Sequence, residues 1–227
     1  MQLDIGSEAI ITWGIAALLL LLALFTLLHV WRLHRRSRRF RRLIDRLSSQ
    51  RLHDVVIEDG DGLDYFEHLV LLPGGIALIQ VLDYGGVIFA DEHIDLWTQV
   101  VGKKSFRFPN PLEQLKARLG VIRALTEEDR VFGWLLFSER AEFPKGRPAQ
   151  LSVGRELAGH LDEKRQGSID SRLREAWQIL CDAVAEAPAG MLTRPRAEGT
   201  LSARAAVSVG LLFVSLAGLW LYWRLVP

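Results

Sequence analysis

The sequence predicts a three-layer α/β domain of about 140 residues held between two transmembrane helices. Three observations carry that expectation. Ala9 to Leu28 is an uncharged apolar run of 20 residues, and Ala205 to Trp223 is another of 19. Runs of that length match the ~30 Å hydrocarbon core of a bilayer at ~1.5 Å rise per residue. Between them, short strand-like runs alternate with two stretches of helical spacing. The charge is also divided: nine arginines and one acid lie between Arg32 and Arg51, whereas Leu52 to Thr193 holds 15 Lys/Arg against 23 Asp/Glu.

The first run is read as a retained transmembrane helix. Its leading residues carry Asp4 and Glu8 and no lysine or arginine, which is unlike a signal peptide. Arginines follow the first run, and Arg194, Arg196 and Arg204 precede the second. The positive-inside rule then places the central domain in the cytoplasm of a two-pass protein of the inner (plasma) membrane, with both termini outside. Leu33, Phe40, Leu43, Ile44 and Leu47 recur at helical spacing among the arginines. The expectation is a helix that continues the span or lies on the headgroups. There Arg35, Arg36, Arg38, Arg39, Arg41 and Arg42 would meet anionic lipid. A nucleic-acid arm is the competing reading of the same residues.

Within the domain, His53–Glu58 reads as a strand and Asp59–Gly62 as a turn. Tyr65–Leu72 and Gly75–Leu82, joined by Pro73-Gly74, read as a hairpin. Asp83–Gly86 turns the chain and Val87–Phe89 extends it. Asp91–Lys104 reads as loop-rich, anchored by Trp97. Asn110 caps a helix with Pro111 at its first position, and Leu112, Leu115, Leu119, Ile122 and Leu125 form its stripe. Val131–Phe137 is a buried strand, Leu151–Val153 a short one, Arg155–Leu161 a short helix and Ser168–Ala187 a longer helix. The divisions are 1–31 for the first span, 32–51 for the basic helix, 52–187 for the domain, 188–204 for a linker and 205–224 for the second span. Cys181 is the single cysteine, which excludes a disulfide framework, and the six histidines show no metal-ligand spacing.

From Asp54 to Leu125 the residues resemble a known family. Glu67-His68 opens an apolar strand that ends in Pro73-Gly74. Ile79-Gln80-Val81-Leu82, Tyr84-Gly85-Gly86, Trp97 and Asn110-Pro111-Leu112-Glu113-Gln114 follow in order. This series resembles the nuclease-related domain family, of the restriction-endonuclease-like PD-(D/E)xK superfamily. The resemblance implies a restriction-endonuclease-like fold and metal-assisted phosphodiester hydrolysis. A strand Asp and the Glu of a Glu-x-Lys motif would hold a divalent ion, and the Lys would stabilise developing charge.

This chain departs from that pattern. Glu67 stands at the Asp position, Gln80 at the Glu position and Leu82 at the Lys position. A neutral amide and a hydrocarbon leave one carboxylate of the set, so no metal and no catalytic residue are expected. His68, Asn110, Pro111 and Gln114 keep the family motif. His68 reads as a packed or capping histidine. Gln114 is open to two readings, a ligand-binding amide or a helix-start capping group. Glu67 has the competing reading of a solvated carboxylate on a strand edge. The expectation is a membrane-anchored, catalytically inactive module that binds or scaffolds an unknown protein partner, nucleic acid being disfavoured by the acidic domain. The alternative is an active, Mg²⁺-dependent membrane-tethered nuclease for DNA or RNA, in which Glu58 or Asp83 rebuilds the metal site.

Overall fold

The computed structural model describes residues 17–18, 21–28, 31, 39–59 and 62–186. The chain divides into two compact units, 1–39 with 197–227, and 40–196. In the first unit, residues 17–18, 21–28 and 31 are helical, and Leu21, Leu24, Phe25, Leu27 and Leu28 are exposed. Among the described residues no helix is long and apolar enough to cross a membrane. Most of the first predicted span and all of the second lie outside them.

The second unit is mixed α/β with two sheets. Strands β1 (Arg51–Asp59), β2 (Gly62–Leu72) and β3 (Gly75–Leu82) form a meander. It is joined by β7 (Val131–Phe137), β9 (Leu151–Val153) and β10 (Val184–Glu186) in the order β10-β1-β2-β3-β7-β9. β3, β7 and β9 run parallel to one another, and the other pairings of this sheet, β10-β1, β1-β2 and β2-β3, are antiparallel. A second sheet takes the order β6-β5-β4-β8, from β4 (Gly86–Phe89), β5 (Leu96–Val101), β6 (Lys104–Pro109) and β8 (Ala141–Glu142). Helix α1 (Pro111–Thr126) links the sheets. Short α2 (Glu156–His160) and α3 (Asp162–Arg165) precede α4 (Ser171–Ala183).

Strand alternation divides the core in two. On β3, Ile76, Leu78 and Leu82 join the larger cluster with Leu112, Leu115, Leu119 and Ile122 of α1 and Leu173, Trp177 and Leu180 of α4. Ala77, Ile79 and Val81 face the other way, towards Leu157, Leu161, Phe40, Ile44 and Leu47. The large sheet therefore lies between two helical layers, as expected of three-layer packing. Gly133 lets α1 approach β7, since a Cβ there would stand 2.6 Å from Leu115 Cγ. Gly75 has φ +138°, and a Cβ would stand 2.0 Å from the Arg130 carbonyl oxygen, so only glycine closes this turn.

Three sequence expectations need correction. Asp91–Lys104 is not a loop: it holds β5 and the start of β6, an antiparallel hairpin with Trp97 fully buried. The alternation is short and half-exposed, so its period was hard to see. The 168–187 helix is shorter, because Val184, Ala185 and Glu186 leave it to pair with Ile57, Val56 and Val55. The basic segment is helical over residues 39–45, and Phe40, Ile44 and Leu47 are buried in the domain core. Its apolar stripe thus answers to the sheet. Arg39, Arg42 and Arg46 are exposed, and Arg41 reaches Asp54 at 3.7 Å. Arg35, Arg36 and Arg38 lie outside the described residues.

Replacing Ile44 by Ala should cost about 2–4 kcal/mol in denaturant unfolding of the full chain, the usual loss for a buried isoleucine. A helix resting only on lipid would change unfolding by less than about 0.5 kcal/mol.

Candidate functional site

The site forms where strand pairing opens. β1 and β2 pair from His53–His68 to Val55–Phe66, skipping Asp54 and Glu67. Asp54 takes φ +54°, which twists its backbone out of the ladder. β2 and β3 pair from Leu72–Gly75 only as far as His68–Ile79. Glu67 therefore sits where both ladders of β2 are interrupted. It is 4% exposed, and its Oε2 accepts the Val81 N–H at 2.7 Å. The side chain takes over the strand's task of satisfying a backbone donor. The solvated-edge reading of Glu67 is thus corrected, because the residue is buried on an interior strand.

Gln80 stands beside it on β3, 5% exposed. Its Nε2 donates to Gln114 Oε1 at 3.3 Å, while its own Oε1 is buried with no hydrogen-bond partner among the described residues. Gln114 lies on the exposed side of α1 and spans to the sheet. The capping reading of Gln114 is corrected accordingly. Capping belongs to Asn110, whose Oδ1 accepts the Leu112 N–H at 3.0 Å. Its Nδ2 donates to the Ile94 carbonyl at 3.0 Å, so it also fixes the chain before β5. Pro111 is buried at the first helical position.

One helical turn beyond Gln114 lies Arg118. Its Nε is buried without a hydrogen-bond partner among the described residues. Burial holds the guanidinium below its usual basicity, opposed by the charges of Asp64, Glu67 and Tyr65. A fixed cation thus lies within electrostatic reach of the one carboxylate of the motif. Leu82 is 4% exposed, opposite Phe137, in the apolar cluster with Ile88 and Trp97. Asp83 pairs with Arg140 at 3.4 Å, and Glu58 is exposed on β1. Among the described residues no three His, Cys, Asp or Glu side chains gather as a metal site would require.

His68 is 1% exposed, and its Nδ1 lies 2.8 Å from Nδ1 of His53. His53 Nε2 lies 2.9 Å from Asp45 Oδ1, and Asp45 also takes Arg51 Nε at 2.6 Å. The packed-histidine reading of His68 gains a partner the sequence did not supply.

The family model of the nuclease-related domain matches residues 33–138. This chain carries a nuclease-related domain. PD-(D/E)xK is the general kind of fold for that family, and the two-sheet α/β unit is consistent with it. The match spans the helical residues 39–45 and every strand through β7. Comparison with curated proteins and with solved structures gave no match.

Arg118 and the His53–Asp45 pair were missed from sequence. The signal for Arg118 was its place four residues after Gln114, on one face of α1. For His53 it was hairpin arithmetic: the pairing that sets Asp59 opposite Gly62 also sets His53 opposite His68.

Glu67→Leu should destabilise the chain by about 2–4 kcal/mol. It removes the Val81 acceptor and leaves Arg118 without that counter-charge. Glu67→Gln keeps an acceptor oxygen and should cost less. A double-mutant cycle of Glu67→Gln with Arg118→Met should return a coupling of about 0.5–1.5 kcal/mol, read from unfolding midpoints.

Proposed function

We propose that this chain is a membrane-anchored nuclease-related domain that binds or scaffolds a protein partner at the inner face of the membrane and does not hydrolyse phosphodiesters. The observation that carries the reading is that the motif keeps one carboxylate, and that carboxylate is engaged by a backbone N–H. Glu67 gives one oxygen to a backbone N–H, Gln80 contributes a neutral amide, and the Arg118 guanidinium feels the charges of Asp64 and Glu67. Mg²⁺ is held by carboxylates, water and substrate phosphates in octahedral array. One carboxylate with a guanidinium at hand does not fit such an ion. Leu82 places hydrocarbon where the family's lysine would stabilise charge.

Two features support the anchor. The uncharged runs at 9–28 and 205–223 are each long enough to span. In the described part of the first, large apolar side chains stand exposed along the helix, a surface that water disfavours and lipid accepts. The arginine cluster against the first run sets the domain on the cytoplasmic side. It also suits anionic headgroups, with Arg39, Arg42 and Arg46 exposed. The acidic balance of 52–193 disfavours nucleic acid as the partner.

Full-length chain in lipid nanodiscs, given Mg²⁺ or Mn²⁺, should leave plasmid DNA, single-stranded DNA and RNA intact. Metal-dependent cleavage abolished by Glu67→Ala would install the nuclease reading instead. A reporter fused to the C-terminus should be active outside the cytoplasm. Cytoplasmic activity there would refute the two-pass arrangement.

A further inference from the structure

The hairpin of β5 and β6 is fixed at one end and free at the other. Trp97 Nε1 donates to the Asp91 carbonyl at 2.9 Å, and Asn110 Nδ2 donates to the Ile94 carbonyl at 3.0 Å. These bonds pin the start of β5 to the core. At the far end Val101 and Lys104 form the last pair, and Gly102 and Lys103 close the turn. Gly102 takes φ +61°, with open space where a side chain would stand. The turn is thus a convex end that faces solvent.

Charge is divided along the hairpin in the same sense. Residues 96–109 carry Lys103, Lys104 and Arg107 and no acid, within a stretch, Leu52 to Thr193, that holds 15 Lys/Arg against 23 Asp/Glu. The nearby acids, Asp91, Glu92 and Asp95, lie before β5, at the pinned end. Val101 stands beside the lysines and is 48% exposed. An apolar side chain flanked by exposed lysines on a rigid turn suits a bilayer interface. The hydrocarbon enters the headgroup layer while the lysine stems extend and keep their ammonium groups among the phosphates.

We propose that this turn is a contact point for an anionic lipid surface, made by Val101, Lys103 and Lys104. It is distinct from the exposed arginines of residues 39–46. Two observations favour lipid over an acidic protein segment. A convex turn offers a folded partner little area to bury, whereas headgroups rearrange around it. The apolar group also sits among the cations, and a purely electrostatic partner has no use for it. Two lysines near an anionic leaflet raise the bound population by on the order of tenfold, too little to hold a free domain. The contact therefore rests on the membrane-anchored reading, which supplies the high local concentration of lipid.

The test is peptide-resolved hydrogen exchange over 98–106, on the full chain in nanodiscs. Discs of phosphatidylcholine alone are compared with discs that also contain phosphatidylserine. Wild type should exchange at least about threefold more slowly on the anionic discs. The double variant Lys103→Glu, Lys104→Glu should lose that difference, and Val101→Thr should reduce it. Lys116→Glu, an exposed lysine on α1, should respond as wild type. Exchange over β7, residues 131–137, monitors the fold of each variant. If the double glutamate variant does not fold, Lys103→Gln with Lys104→Gln takes its place with the same expectation. Equal exchange of wild type on both discs, or a full lipid response in either tip variant, would overturn the proposal. Slowing by added polyglutamate without slowing by phosphatidylserine would assign the turn to an acidic protein segment and overturn it as well. The anchor is read separately. Wild type that elutes apart from phosphatidylcholine discs refutes the anchor, and co-elution with phosphatidylserine discs then judges the turn. Co-elution weakened by the lysine variant supports it, and no co-elution rejects it.

Discussion

The hydrogen bond from the Val81 N–H to the Glu67 carboxylate is the constraint on which the site depends. β2 stops pairing with β3 beyond His68–Ile79 and skips a pair with β1 at Asp54. A sheet opened on both sides of one residue would leave buried backbone groups unsatisfied. The carboxylate fills that role at 2.7 Å from the Val81 nitrogen. The carboxylate that the family resemblance would give to a metal is here bonded to a backbone N–H. A carboxylate so placed needs nearby positive charge. Arg118 supplies it from a helix that Asn110 starts and Gly133 lets lie close to the sheet.

The two faces of the large sheet then have different tasks. One carries α1 and α4 and the Glu67–Gln80–Gln114–Arg118 group. The other carries the N-terminal basic segment, fixed by apolar contacts and by the histidine chain. The basic arginines and the acidic domain are joined by this packing. The basic segment after the first apolar run is part of the core, packed on the sheet next to the Asp45–His53 pair.

Much of this was legible in the sequence, for physical reasons. β2, β3 and β7 are buried on both faces and read as continuous apolar runs between turn residues. Helix α1 announced itself by Asn110-Pro111 and its leucine stripe. The hairpin of β5 and β6 escaped because only Trp97 and Gln99 of β5 are buried, too few for a clear period. β10 escaped because Val184 continues the helical spacing of α4, and only pairing with Ile57 turns it into a strand. The segment around Phe40 showed its stripe plainly, but sequence alone does not say whether such a stripe meets lipid or protein. At the site, the departures at Gln80 and Leu82 were plain. The nearby cation was not, since Arg118 is distant in sequence from Glu67 and is brought towards it only by helix packing.

On the proposed reading, the Glu67 cluster holds no divalent ion. Mn²⁺ titration of the full-length chain, followed by the electron paramagnetic resonance of free ion, tests it most directly. The expected result is no stoichiometric binding to wild type at micromolar Mn²⁺, with a site emerging in the triple variant Gln80→Glu, Leu82→Lys, Arg118→Met. A stoichiometric micromolar site in wild type that disappears in Glu67→Ala would contradict it.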